Sequence, residues 1–324
     1  MLATGSVKEA DHAVPQAGGR YRYGLDIGGT KIDAVLVDGD AVIGHARVPS
    51  GKGLERVVTQ ADLALRALQE DRGLSRILAT ERPQLMGVGV PGLVDGESGR
   101  VRNAVNLDLA DVDLKGALQA RTGLHVAIDN DVNAAALGTW ATIGKPDSMG
   151  YINLGTGLAA GIVISGDLWR GSRGFAGEVG HIPVDPNGRP CTCGQVGCLE
   201  TLASGAAIAA RWPTQVQFPV LEIEVAAREG DPLARAIFAD LVEGAAATVR
   251  LLLLSFDVQE ITIGGGLSSL GDVILDPVRA KLAEWAFTSP LVDALITDVP
   301  VGIAPSGPIA ALGASMLHSL SSTA

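Results

Sequence analysis

An α/β fold of two lobes is what this sequence predicts, on three observations. The chain has 324 residues, more than one core usually fills, which suits two lobes of roughly 150 residues each. Expected strands and helices alternate along it, as they do around a largely parallel central sheet. A strand, a glycine turn and a second strand near residue 26 recur near residue 154, so the chain reads as internally duplicated. With 47% hydrophobic and 19% charged residues, there is enough apolar surface to offset the entropy of ordering, and general disorder is excluded. Aromatics are only 4% while glycines number 42. The core must therefore be built of Ala, Val, Leu and Ile, with many backbone positions held open for turns or close approach.

Residues 1–19 include Lys8, Glu9, Asp11 and His12 and no apolar run, which predicts a disordered tail without a secretory signal and a cytoplasmic location. Residues 21–27, 34–37 and 41–44 have strand length and are joined through Gly28-Gly29-Thr30 and the turn pair Asp38-Gly39, giving a three-strand meander. Leu54, Val57, Val58, Ala61, Leu65 and Leu68 share one face of a helix over 54–69. Residues 85–90 form a buried strand ending at Pro91-Gly92, 114–121 a helix and 125–128 a strand, after which a helix begins near Val132. The 19 residues 148–166 carry no charge, yet five glycines, Asn153 and Thr156 exclude a membrane span. They read instead as two buried strands about Gly155-Thr156-Gly157.

Further on, residues 171–200 carry the cysteines, 232–254 are helical, and a strand over 260–263 closes on Gly264-Gly265-Gly266. Ser306 is placed to cap an Ala-rich helix, with Pro308 in its first turn, that runs to about Leu317 and docks back on the first lobe. Residues 20–134 with 306–324 are thus expected to form an N-terminal α/β lobe, and 135–305 a C-terminal lobe.

A net charge of -11, from 25 Lys plus Arg against 36 Asp plus Glu, repels polyanions, so a nucleic-acid partner is not expected. Two glycine turns at equivalent points of two lobes can present backbone N–H groups to one phosphate chain lying between them. The first is Gly28, Gly29, Thr30 and Lys31, and the second is Gly155, Thr156 and Gly157. Asp26 could hold Mg2+ through water, and Gly264, Gly265 and Gly266 let a nucleoside approach the second lobe. Each turn alone could be a plain hairpin; their occurrence at duplicate positions selects the phosphate reading. Neither fits the P-loop pattern.

Cys191, Cys193 and Cys198 are the chain's 3 cysteines, too few and too local for a disulfide framework. With His181 they give H-x9-C-x-C-x4-C, one His and three Cys for a closed tetrahedral Zn2+ shell. Four protein ligands leave no position for water, so this metal is expected to be structural. Asp129-Asn130-Asp131 projects short polar groups into the cleft. Asp131 there could accept a hydroxyl proton in phosphoryl transfer, although Asn130 or Asp131 could equally cap the following helix.

Asp26 to Lys31, the Leu154-Gly155-Thr156-Gly157 turn and the cysteine segment together resemble the ROK family of bacterial sugar kinases and sugar-responsive repressors, from about residue 22 to the end of the chain. The resemblance implies an actin-like, ribonuclease-H-like ATPase fold of duplicated β-meander/α units, with a zinc-stapled insertion over 178–200 in the second lobe. It implies ATP and a sugar between the lobes, and a homodimer or dimer of dimers. It places the catalytic base at Asp131 and sugar contacts at Asn106, Asn130, Asp131, Glu178, His181 and Glu200, with His181 also on the metal. Carboxylates suit that task because each accepts hydrogen bonds from adjacent hydroxyls, although by composition either glutamate could be a solvated surface group. Gly89-Val90-Pro91-Gly92 resembles a backbone edge of the same pocket.

The expected activity is transfer of the γ-phosphoryl group of ATP to the 6-hydroxyl of a hexose, glucose first. N-acetylmannosamine, N-acetylglucosamine and fructose offer hydroxyls that the same residues could bind, and polyphosphate could replace ATP. Two departures bear on glucose: Asp129 stands where many resembling glucokinases have Glu, and Leu199 where many have Trp. Family repressors carry a winged helix-turn-helix ahead of the sugar domain, which the 20 or so residues before Tyr21 cannot hold. An actin-like assembly ATPase would leave the zinc-stapled carboxylate pocket without a use.

Overall fold

The computed structural model describes residues 20–214, 216 and 219–317; the tail expected over 1–19 and residues 318–324 of the expected first lobe lie outside them. The chain opens as an antiparallel meander of β1 (Tyr21–Ile27), β2 (Lys31–Asp38) and β3 (Ala41–Pro49). The helices α1 (Leu54–Gln69) and α2 (Ser75–Thr80) lead to β4 (Leu85–Val90), which runs parallel to β1. Strands β5 (Leu93–Val94), β6 (Arg100–Ala104) and β7 (Leu109–Asp113) form a small separate sheet. Asp113 then caps α3 (Leu114–Thr122), and β8 (His125–Asn130) completes a first sheet of order β3-β2-β1-β4-β8.

After α4 (Asp131–Thr142) the pattern repeats with β9 (Ser148–Leu154), β10 (Leu158–Ile164) and β11 (Asp167–Leu168), again antiparallel. Past the cysteine segment come α5 (Gly205–Ala209), α6 (Val220–Glu229) and α7 (Pro232–Phe256), the last capped by Asp231 with Pro232 in its first turn. Strand β12 (Glu260–Gly264) lies parallel to β9, and α8 (Asp272–Thr288), α9 (Pro290–Ile296) and β13 (Val301–Ile303) complete a second sheet of order β11-β10-β9-β12-β13. Strand for strand the two orders are the same. The duplicated meander/α architecture is therefore present, and the two glycine turns occupy the same place in each sheet, between its first two strands.

One core packs β1, β2, β4 and β8 against α1 and α3, and a second packs β9, β10 and β12 against α7 and α8. Between them a third joins α4 residues Val132, Ala134 and Ala136 to Met149, Tyr151 and Val163 of the second sheet. The last helix, α10 (Ile309–Ser315), lies against α4, β1 and β4. Here the glycines matter. A Cβ on Gly87 would stand 1.7 Å from the Ala314 carbonyl oxygen, one on Gly24 2.0 Å from that of Ala311, and one on Gly138 1.9 Å from that of Ile309. The helix backbone thus rests directly on two strands and a helix, with no side chain between. Ser306 does not cap it: α10 starts at Ile309 with Pro308 at the cap and no side-chain hydrogen bond, because Gly307, at φ +131, turns the chain ahead of the helix. Gly87→Ala is expected to lower stability by about 1–3 kcal/mol through overpacking against a backbone atom, measured by urea denaturation. A midpoint equal to wild type would mean that α10 does not need this close seat. No helix among the described residues is long and apolar enough to cross a membrane.

Candidate active site

The junction of β8 and α4 supplies three consecutive polar side chains. Asn130 does cap α4, its Oδ1 accepting the Val132 N–H at 2.8 Å, while its Nδ2 donates to the Gly92 carbonyl at 3.1 Å. Both ends of the amide are therefore tied, one to the helix and one to the turn after β4. Asp131 follows in the first helical turn. Burial pushes its carboxyl up to about 6 against the stabilising Val132 N–H, and the charge of Glu178 adds to the rise. From the end of β1, Asp26 reaches the same cleft. Its carboxyl is pushed up to about 7, by burial first and then by Asp131 and Asp33, with Lys31 and Arg47 opposing. The Tyr151 phenol of β9 is also raised, by burial and then by Asp131 and Asp26, so all three groups share one space between the sheets.

In the first glycine turn Gly28 N–H donates to the Lys31 carbonyl at 2.9 Å, and in the second Gly155 N–H donates to that of Gly157 at 3.0 Å. Gly28 and Gly155 thus use their N–H groups to close the turns. A Cβ on Gly29 would meet the Asn106 Cβ at 2.7 Å, which places Asn106 against the first turn. Glu200 stands at the second: its Oε2 accepts the Leu158 N–H at 3.0 Å and would lie 2.6 Å from a Cβ on Gly157. Thr30 is exposed at the turn, and Lys31 Nζ is 3.3 Å from Asp33 Oδ2. Gly264 leaves room for the Tyr151 hydroxyl, which would be 2.2 Å from a Cβ there, and a Cβ on Gly265, at φ +83, would stand 2.5 Å from the Leu154 carbonyl. The Gly264–Gly266 run therefore borders the strand that leads into Gly155, Thr156 and Gly157.

Asn130 and Glu178 line one pocket together with Gly92, Asn133 and residues 174–177. Glu178 Oε2 is 3.9 Å from His181 Nε2, while His181 Nδ1 is 3.7 Å from Cys191 Sγ. The two ring nitrogens thus face different partners, so a metal on Nδ1 leaves Nε2 directed at the Glu178 carboxylate. Ligand atoms of His181, Cys191, Cys193 and Cys198 all lie within 4.8 Å of one another. Cys193 and Cys198 Sγ are 3.7 Å apart. Thiolates about 2.3 Å from a tetrahedral Zn2+ stand about 3.8 Å apart, so this donor set fits that ion.

Three features escaped the reading of the sequence. Asp33, directly opposite Asp26 in the β1–β2 ladder and 4% exposed, binds His45 Nε2 at 2.7 Å and Arg47 Nε at 2.7 Å. Asp129 is buried and binds Arg170. Tyr151 brings the second sheet to the two cleft carboxyls. Asp33 faces Asp26 because β2 starts at Lys31, three residues ahead of the strand expected over 34–37; nothing local marks Arg170, which lies in a loop.

The ROK family model matches residues 22–317. The chain is 36% identical over 284 residues to the glucokinase of Streptomyces coelicolor, covering 81% of this chain and 87% of that one. Among solved structures it is similar to a ROK family glucokinase from Streptomyces griseus in complex with glucose and AMPPNP, with TM-score 0.72 and 32% identity over 92% of this chain and 98% of that one. A ROK hexokinase from Thermus thermophilus gives a TM-score of 0.75 and 30% identity over 92% and 97%.

Proposed function

The chain belongs to the ROK family, and we propose that its cleft transfers the γ-phosphoryl group of ATP to the 6-hydroxyl of a hexose, with glucose the first substrate. The observation that carries this reading is Asp131: a half-buried carboxyl raised to about 6 at a helix start, in a space shared with Asp26, in a chain whose two glycine turns stand at equivalent points of two sheets. A base with that affinity for protons is largely ionised at neutral pH and still able to accept one.

In this reading the triphosphate lies across the two glycine turns, with Gly29, Thr30, Thr156 and Gly157 nearest it and Gly264–Gly266 beside the nucleoside. Asp26 is the residue that would hold Mg2+, since a half-buried carboxyl crowded by Asp131 and Asp33 gains from a neighbouring cation. Such an ion supplies neutralisation of phosphate charge. Asn106, Asn130, Glu178, His181 and Glu200 orient the sugar, Glu200 through the oxygen not bound to Leu158. Asp131 then takes the hydroxyl proton as the new O–P bond forms, while positioning and charge neutralisation supply most of the remaining acceleration. A panel of hexoses at fixed ATP, read by ADP production, tests this. Glucose is expected to show the highest kcat/KM; an N-acetylated hexosamine or fructose in first place would move the substrate, and absence of any sugar-dependent ADP would remove the kinase reading.

Because the two turns sit on different sheets, they grip one triphosphate together only when the cleft is shut. The two lobes that shut are proposed to be residues 20–134 with the chain end from 306, and residues 135–305. Sugar contacts likewise come from both, Asn106 on one and Glu178 and His181 on the other. Ligands that favour one closed state raise each other's affinity, typically by about 1 to 3 kcal/mol. Calorimetric titration of a nonhydrolysable ATP analogue is therefore expected to show tighter binding with saturating sugar than without. Equal affinities would remove the shared-cleft mechanism.

A further inference from the structure

We propose that Arg170 is a positioning residue for this reaction, linking the Asn130–Asp131 junction of the first sheet to the Glu178 segment of the second through Asp129. The inference rests on the kinase reading above. Asp129, in β8, is 7% exposed, and a carboxylate so far from water must be paired. Its Oδ2 accepts Arg170 Nε at 2.6 Å, and its Oδ1 accepts Asn133 Nδ2 at 2.7 Å and the Asn130 N–H at 2.7 Å. All three donors converge on the residue that precedes the junction.

Arg170 comes from the other side of the cleft. Its neighbour Trp169 donates its N–H to the Ile162 carbonyl of β10 at 2.8 Å, which ties that stretch of backbone to the second sheet. The Arg170 carbonyl accepts the Ala176 N–H at 3.1 Å and Gly177 accepts that of Ala160 at 2.8 Å, so the loop returns to β10 immediately before Glu178. One guanidinium thus joins the residue next to the proposed base's junction to the loop that carries a residue proposed to hold the sugar. Removing it frees the junction to shift, and a misplacement of about 1 Å can cost about a hundredfold in rate. The competing account is that the ion pair only holds the fold.

The two accounts separate in a set of three variants, Arg170→Ala, Asp129→Asn and the double variant, assayed with the hexose that wild type phosphorylates fastest. Arg170→Ala is expected to lower kcat by about 10- to 100-fold and raise the hexose KM, with the ATP KM within twofold and zinc content unchanged. Its thermal midpoint falls, because Asp129 is left as an unpaired buried charge. In the double variant that charge is gone: the midpoint recovers toward wild type while kcat stays low. Recovery of kcat together with the midpoint would make the pair merely structural and overturn the proposal. So would an Arg170→Ala kcat within threefold of wild type, or loss of zinc in that variant. Should Arg170→Ala not fold, Asp129→Asn alone carries the test, with the same fall in kcat expected and an unchanged kcat overturning it. Wild type inactive on every hexose would remove the kinase reading, and this inference with it.

Discussion

Asp131→Asn is expected to lower kcat by about 10^2 to 10^4 and, at neutral pH, to raise the stability of the fold. The amide keeps the shape and an acceptor for the Val132 N–H, which Asp131 Oδ1 binds at 3.0 Å, but it cannot take a proton. The stability change follows from the same burial that makes the group a base. The folded carboxyl titrates at about 6, above its ordinary value of 3.8. A carboxyl raised in this way contributes stability that is full below its unfolded pKa and is lost as pH rises through its folded pKa. At pH 7 it holds a charge that its half-buried site disfavours, worth at most on the order of 2 to 3 kcal/mol for a rise of about two units. Asn carries no such charge, so part of that cost is regained. In wild type the kcat profile should fall on the acid side near pH 6, and because Asp26 sits in the same space the apparent value belongs to the pair. The variant should lose that limb. Turnover within threefold of wild type would remove Asp131 as base, and a lower melting temperature would remove the buried-charge argument.

How much of this was legible beforehand depended on range. The meander, α1, β4, β8 and α7 were visible because each is written in a local period of apolar residues or bounded by its own turn or cap. The β5–β7 sheet was not: its strands have 2 to 5 residues and carry Arg100, Arg102, Asp111 and Asp113, so no apolar alternation announces them. The abundance of glycine was plain in the composition, yet its use under α10 depends on which strands that helix meets, and those lie more than 200 residues earlier in the chain, as Gly24 against Ala311 and Gly87 against Ala314 show. Asp131 and the cysteine cluster could be named because chemistry and spacing coincide in a few consecutive residues. Arg170 and the cations around Asp33 could not, since what matters is which buried carboxylate they reach, and that is decided by tertiary packing. His181 is instructive on both counts: sequence assigned it to metal and sugar at once, and only the ring's orientation shows that its two nitrogens face different partners.

Loss of the metal is the other large effect expected. Purified protein should hold one zinc per chain, and Cys193→Ser, or chelation, should raise the hexose KM by about tenfold or more while changing the ATP analogue affinity by less than threefold. The asymmetry follows from what the segment carries. Glu178 and His181 lie at its start; of the segment's sugar residues Glu200 alone, past the last cysteine, touches a glycine turn, where the Leu158 N–H rather than the ion holds it. The thiols are already brought together, with Cys193 and Cys198 Sγ 3.7 Å apart and the Gln195 amide donating to Cys193 Sγ at 3.4 Å. Gly194, at φ +92, and Gly197, at φ +73 with Asp185 O 1.7 Å from where a Cβ would be, let the loop fold back between its cysteines. Backbone hydrogen bonds from Cys191 N–H to Gln195 and from Val184 N–H to Gly197, both 2.8 Å, hold part of that shape without the ion. The metal-free protein should therefore stay folded, with a lower melting temperature, since the cores around β1 and β9 lie mostly outside the segment. What it loses is the fixed direction of His181: with Nδ1 unbound the ring can turn, and Glu178 loses the partner 3.9 Å away that orients it. A Cys193→Ser variant that kept full zinc and the wild-type hexose KM would show that the cluster neither binds the ion as a set of four nor shapes the sugar pocket.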